Sequence, residues 1–219
     1  MDKFYNLLYK QLDNLFFLYT EEKALTETLK NDINNRFLAN CKHLKNKYYS
    51  DVNNLTPYHS CQYTMFLYFA ANTIFKQNGR LELCDKIYNL SKIVSAADIY
   101  YEIELPEIFM FDHPVGTVLG RAKYGNYFTF SQGCTVGNNK GIYPVIGNCV
   151  SMMSNSKILG NCKIGDNVII SANTYIKDKD VPSNCIVFNG ANGDLIFKET
   201  DENLIKQRFD SVFSLKEDN

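Results

Sequence analysis

From Met1 to about Ala96, apolar residues recur at three- and four-residue steps. Phe4, Leu7, Leu8, Leu12, Leu15 and Phe16 mark one helical stripe. The stretch Ser60 to Phe75 is apolar and aromatic, and Leu81 to Val94 continues the helical period. Glycine occurs once in this region, at Gly79 in the turn KQNGR. The pattern predicts several helices with breaks near Asn53 to Pro57 and near Gly79.

After Asp98 the period changes to six. Ile146, Met152, Ile158, Ile164, Ile170 and Ile176 follow one another without a slip. Four residues after each of the first five stands a small or β-branched residue: Val150, Ser156, Cys162, Val168 and Thr174. Upstream the same step links Val118, Tyr124, Phe130 and Val136, and earlier Ile99, Leu105 and Phe111. The loop Asn138 to Pro144 separates the two phases.

A step of six is neither the 3.6 of a helix nor the 2 of a flat strand. It suits a triangular coil in which three short strands complete a turn of about eighteen residues. The aliphatic residue then points inward and the small one packs near the corner. Glycine or asparagine takes the left-handed corner dihedrals. Asn148, Asn155, Asn161, Asn167 and Asn173 fall near the required corners. The predicted fold class is α+β: an N-terminal α-helical domain (1–97), a left-handed parallel β-helix (98–190) and a C-terminal tail (191–219) with a short helix.

Composition narrows the function. The 219 residues carry a formal net charge of -1, which offers no electrostatic case for nucleic acid or an anionic membrane. The basic run Lys42 to Lys47 is short and reads as a solvated helix face. Seven cysteines, an odd number without a CxxC pair, argue against a disulfide framework or a zinc site. The opening MDKFYNLLYKQLDNLFFLY lacks the features of a signal peptide, and no run has the length of a membrane span. A cytoplasmic setting is the resulting expectation.

The stretch FDHPVGTVLGRAKYGNYFTFSQGCTVGNN, followed by YPVIGNCVSMMSNSKILGNCKIGDNVIISANTYIKDKDVPSNCIVF, resembles the serine acetyltransferase branch of the hexapeptide acyltransferases. The resemblance covers about residues 60 to 190. Its most specific element is the Asp-His pair followed by G-x-x-x-G. It implies a homotrimer, or a dimer of trimers paired through the helical domains, with acetyl-CoA as co-substrate in a groove between subunits. It also implies roles: His113 as catalytic base, Asp98 as the aspartate orienting it, and Asp112 beside the acceptor. Ser154 and Ala172 stand at small positions whose backbones line the CoA groove, and Lys177 lies further along that edge. The family carries an Arg-His pair on the loop before the next coil, where it holds the serine carboxylate. Here those positions read Ile142 and Tyr143, the loop is shorter, and Ser154-Asn155 replaces a Gly-rich corner. Tyr143 is therefore the candidate acceptor contact, and an acceptor without a carboxylate, such as a sugar hydroxyl, gains ground over free serine.

The chemistry fits a histidine. An alcohol cannot ionise near pH 7, so acetyl transfer to oxygen needs a general base, and imidazole titrates in that range. Only three histidines exist; His43 and His59 lie in the helical part, where surface or packing roles are expected. Cys134 and Cys149 are read as packing residues, not acyl-enzyme nucleophiles. A hexapeptide carbonic anhydrase would need three histidine ligands on adjacent coils, and the repeat region has one, so no metal is expected. Two alternatives to O-acetylation remain: N-acetylation of an amino sugar, and a β-helix scaffold without catalysis.

Overall fold

A computed structural model describes residues 1–201 and 207–215. Helices α1 (Asp2–Phe16), α2 (Thr20–Thr28), α3 (Lys30–Lys42), α4 (Ser60–Asn78) and α5 (Glu82–Ser95) come first. A 3₁₀ turn at Val52–Asn54 and Gly79 at the end of α4 occupy the predicted breaks. Every residue from Cys61 to Ile74 in α4 is buried, its polar members Gln62 and Asn72 satisfied by hydrogen bonds. The run Lys42 to Lys47 is not a helix face: α3 ends at Lys42, and Leu44 is buried in a bridge to Phe213.

A parallel β-solenoid of about five turns follows. Its strands are β1 (Asp98–Ile99), β2 (Phe109–Phe111), β3 (Val118–Leu119), β4 (Lys123–Tyr124), β5 (Phe128–Phe130), β6 (Thr135–Gly137) and β7 (Val145–Ile146). The remainder are β8 (Val150–Met152), β9 (Lys157–Leu159), β10 (Lys163–Ile164), β11 (Val168–Ile170), β12 (Tyr175–Lys177), β13 (Cys185–Asn189) and β14 (Leu195–Glu199). The first face stacks β1-β3-β6-β9-β12, the second β4-β7-β10, and the third β2-β5-β8-β11-β13, with β14 pairing antiparallel to β13. The expected C-terminal helix is represented by helical residues 207–210; the rest of that expectation lies outside the described residues.

The six-residue series holds where it runs unbroken. Ile146, Met152, Ile158, Ile164, Ile170 and Ile176 are all buried, as are Val150, Ser156, Cys162, Val168 and Thr174. Upstream the register slips by one. Val118 is 42% exposed, whereas Leu119 is 1% exposed and stacks between Ile99 and Val136. Tyr124 follows Leu119 by five positions, not six, so the six-step count picks the wrong neighbour. Leu105 is buried but belongs to an irregular run, not a strand.

Corners follow the same logic with two exchanges. Asn155, Asn167 and Asn173 have positive φ as expected, but Cys149 and Gly160 take that role in place of Asn148 and Asn161. Asn148 instead accepts a hydrogen bond from the Asn126 N–H (2.8 Å), and its own N–H donates to Asp166 (2.7 Å). Cys134, Cys162 and Cys185 pack inside, while Cys149, at its corner, is half-buried.

Candidate active site

His113 sits on the corner where the third face turns into the first, in left-handed backbone (φ 49°). Its Nε2 lies 3.5 Å from Asp112 Oδ1, and both side chains stand out to solvent, 80% and 67% exposed. Ser154 and Ala172 occupy the equivalent corner two and three coils further on, so these residues share one edge of the prism. Beside Asp112, a pocket of about 200 Å³ opens between the third face and the C-terminal segment. Thr129, Ser131, Ser151 and Arg208 supply its polar walls.

Three of the candidate residues fall elsewhere. Asp98 makes no hydrogen bond or ion pair with His113. It accepts the Tyr88 hydroxyl at 2.5 Å and lies 3.7 Å from Lys92 Nζ. Burial first, and then this carboxylate, pushes the Tyr88 phenol upward. Lys177 does not continue the edge of Ser154 and Ala172. It ends β12, and three strand residues cover about 10 Å, enough to carry it to the opposite edge of the first face. Tyr143, 40% exposed, stands at that opposite edge too, in the loop between β6 and β7. One chain therefore keeps Tyr143 apart from His113, with the first face between them.

Two cations escaped the sequence reading. Arg121, on the turn between β3 and β4, donates to Glu102 Oε2 (2.9 Å) and lies beside the Tyr143 side chain; Glu102 first, and then Tyr143, raise its pKa. Arg208 reaches the pocket wall, 3.3 Å from Met153 Sδ. Neither belongs to a motif, so only the fold shows where they stand. The loop of Tyr143 is anchored by Asp178, which bonds the Asn139 side chain and the Asn161 N–H. Among the described residues, no group of three His, Cys, Asp or Glu could hold a metal, and no helix is long and apolar enough to cross a membrane.

Residues 143–178 match the model of the bacterial transferase hexapeptide (six repeats). These coils are hexapeptide repeats. Around them, the chain is 33% identical over 115 residues to a serine acetyltransferase of Synechococcus elongatus, covering 50% of this chain and 46% of that one. It is 32% identical over 126 residues to the serine acetyltransferase of Staphylococcus epidermidis, covering 55% and 58%. The chain thus spans about half the length of the curated relatives it matches. Among solved structures, Neisseria gonorrhoeae serine acetyltransferase in complex with serine aligns with a TM-score of 0.64 at 26% identity, covering 78% of this chain and 72% of that one. Isoform 3 from Entamoeba histolytica, in complex with cysteine, aligns with a TM-score of 0.63 at 22% identity, covering 91% and 73%.

Proposed function

We propose that this protein is an acetyl-CoA-dependent O-acetyltransferase acting on a hydroxyl of a small acceptor. The observation that carries the reading is the exposed Asp112–His113 pair on a hexapeptide corner, in line with the small corner residues Ser154 and Ala172. His113 takes the acceptor proton and returns it to the leaving sulfur. Asp112 holds the imidazole and faces the acceptor. Along the same edge, the backbone at Ser154 and Ala172 lines the groove for acetyl-CoA; bulky side chains there would fill it. Asp98 takes over the orientation of His113 only after leaving Tyr88 and Lys92.

The relatives' serine activity makes serine the first acceptor to test. Arg121 beside Tyr143, and Arg208 beside Asp112, offer the positive charge that Ile142 and Tyr143 do not. A sugar hydroxyl is the second reading, favoured by the replaced Arg-His pair. The wide separation of Tyr143 from His113 supports a homotrimer, in which the loop edge of one copy meets the His113 edge of the next. Lys177, on that loop edge, then faces the neighbour's groove.

The test is acetyl-CoA consumption against serine, nucleotide sugars and amino sugars. Transfer to a hydroxyl, with His113→Ala slower by about 10²- to 10⁴-fold and acetyl-CoA binding retained, is the expected result. Transfer to an amine alone would move the assignment to N-acetylation. No transfer to any acceptor would favour the scaffold. Light scattering that reports a monomer at micromolar concentration would remove the shared site.

A further inference from the structure

One side chain from the helical half stands at the same corner as the Asp112–His113 pair. His59 immediately precedes α4, and its ring packs against Tyr48 (4.9 Å between centroids) and Tyr49 (6.2 Å). It lies within the electrostatic reach of both Asp112 and His113. Two residues on, the buried Cys61 thiol is met by the His113 backbone N–H. The helical segment is thus docked directly onto the catalytic corner.

Two buried polar atoms in this cluster make no hydrogen bond: His59 Nδ1 and Tyr49 Oη, the latter on a residue only 6% exposed. An unsatisfied buried polar group costs about 1–3 kcal/mol, and such groups are rare without a use. Leucine or phenylalanine would pack among these tyrosines without that cost. The strain therefore points to a function for the imidazole.

We infer that His59 is a second histidine of the acceptor site, its neutral ring accepting a hydrogen bond from the bound acceptor while His113 takes the transferred proton. The inference rests on the reading of Asp112–His113 as the transfer corner. The titratable groups facing His59 are Tyr48, Tyr49, Cys61, Asp112 and His113. Burial is the largest influence and lowers its pKa, the charge of His113 lowers it further, and Asp112 raises it. The ring is accordingly neutral at pH 7. Across the cycle the acceptor's proton moves to His113 as the new C–O bond forms. It passes to sulfur as the C–S bond breaks. His59 ends as it began.

The experiment compares His59→Ala and His59→Gln in the full-length protein, with acetyl-CoA and the best acceptor of the unmutated enzyme. The alanine variant should raise the acceptor KM by about tenfold or more and leave the acetyl-CoA KM within about twofold. Glutamine, which keeps a hydrogen-bonding side chain of similar reach, should restore most of the loss. The acid limb of log kcat/KM should change from a slope near two to a slope near one, because two neutral imidazoles are required before the substitution and one after it. Equal loss toward both substrates without rescue by glutamine would overturn the inference.

A second readout needs no turnover. With only three histidines in the chain, ring signals are assigned by single substitutions. His59 should titrate below the ordinary value of about 6.5, and lower still in Asp112→Asn. An ordinary midpoint, indifferent to Asp112→Asn, would overturn the inference whatever the activity. Absence of transfer by the unmutated protein defeats the transferase reading itself; a fully active His59→Ala enzyme defeats only the role given to His59.

Discussion

Leu119→Ala and Val118→Ala form a pair that tests the register of the upstream coils. Leu119 is 1% exposed and stacked between Ile99 and Val136, while its neighbour Val118 is 42% exposed. Truncating Leu119 removes three buried carbons at about 0.8 kcal/mol each, or about 2.4 kcal/mol. The strands on either side are held by parallel ladders and cannot close the gap, so a cavity contribution brings the cost to about 3–4 kcal/mol, inside the usual Leu→Ala range. For a chain of this length that lowers the melting temperature by about 6–16 °C. Val118→Ala should cost about 0.5 kcal/mol or less. Circular dichroism melts and urea titrations of the two variants, run at equal protein concentration, measure the difference. Equal costs, or the larger cost at Val118, would mean that the interior column runs through Val118 after all.

Further outcomes follow from single contacts. Gly165→Ala places a Cβ 2.5 Å from the Ser183 backbone nitrogen and should cost about 1–3 kcal/mol in urea unfolding, because backbone cannot step aside. Lys86→Met leaves Glu22, whose side chain is 14% exposed, without its cation and should cost about 3–5 kcal/mol. Burial disfavours the Lys86 ammonium, but Glu22 and Glu82 outweigh it and the net shift is upward. The stabilisation from Lys86 is thus complete below about pH 10 and is lost only as pH rises through the folded value, so the gap between Lys86→Met and its parent should stay level from about pH 6 to 9. Asp178 behaves in the opposite sense. The Asn161 N–H leads in lowering its pKa, so its hold on the loop should persist above about pH 4 and fade as pH falls through the folded value. Hydrogen exchange at Asn161, faster at acid pH than the intrinsic rate predicts, is the check.

The solenoid was legible because its interior imposes one constraint per strand, and Ile146 to Ile176 obey it without insertion. Legibility failed where the coil length changed. A residue is missing between Leu119 and Tyr124, and four extra residues separate Val136 from Ile158, so the count drifts at Val118. Corner asparagines were legible as a class but not one by one, since Cys149 and Gly160 can take the same dihedrals. The Asp112–His113 pair was visible because its two members are adjacent in sequence. His59 and Arg208 were not, because no period relates them to His113. Asp98 was expected to orient His113, but sequence spacing carries no information about a competing phenol at Tyr88.

The helical half explains why the corner can be built at the first coil, where a solenoid has an open end. An unpaired strand edge exposes donors and acceptors that need partners. Here Asn40 of α3 accepts from the Phe109 N–H (2.8 Å) and donates to the Phe109 carbonyl (3.0 Å), standing in for a missing strand on the edge of β2. Tyr68 and Asn72 of α4 do the same for the irregular run between β1 and β2, by bonding Ile103, Leu105 and Tyr101. Arg36 in turn fixes the Asn72 side chain (2.7 Å). These contacts hold the coil that ends at Asp112 and His113, and the same helices bring Tyr49, His59 and Cys61 against that corner. A terminal coil closed by side chains instead of backbone can present residues from both halves of the chain, which an internal coil cannot do.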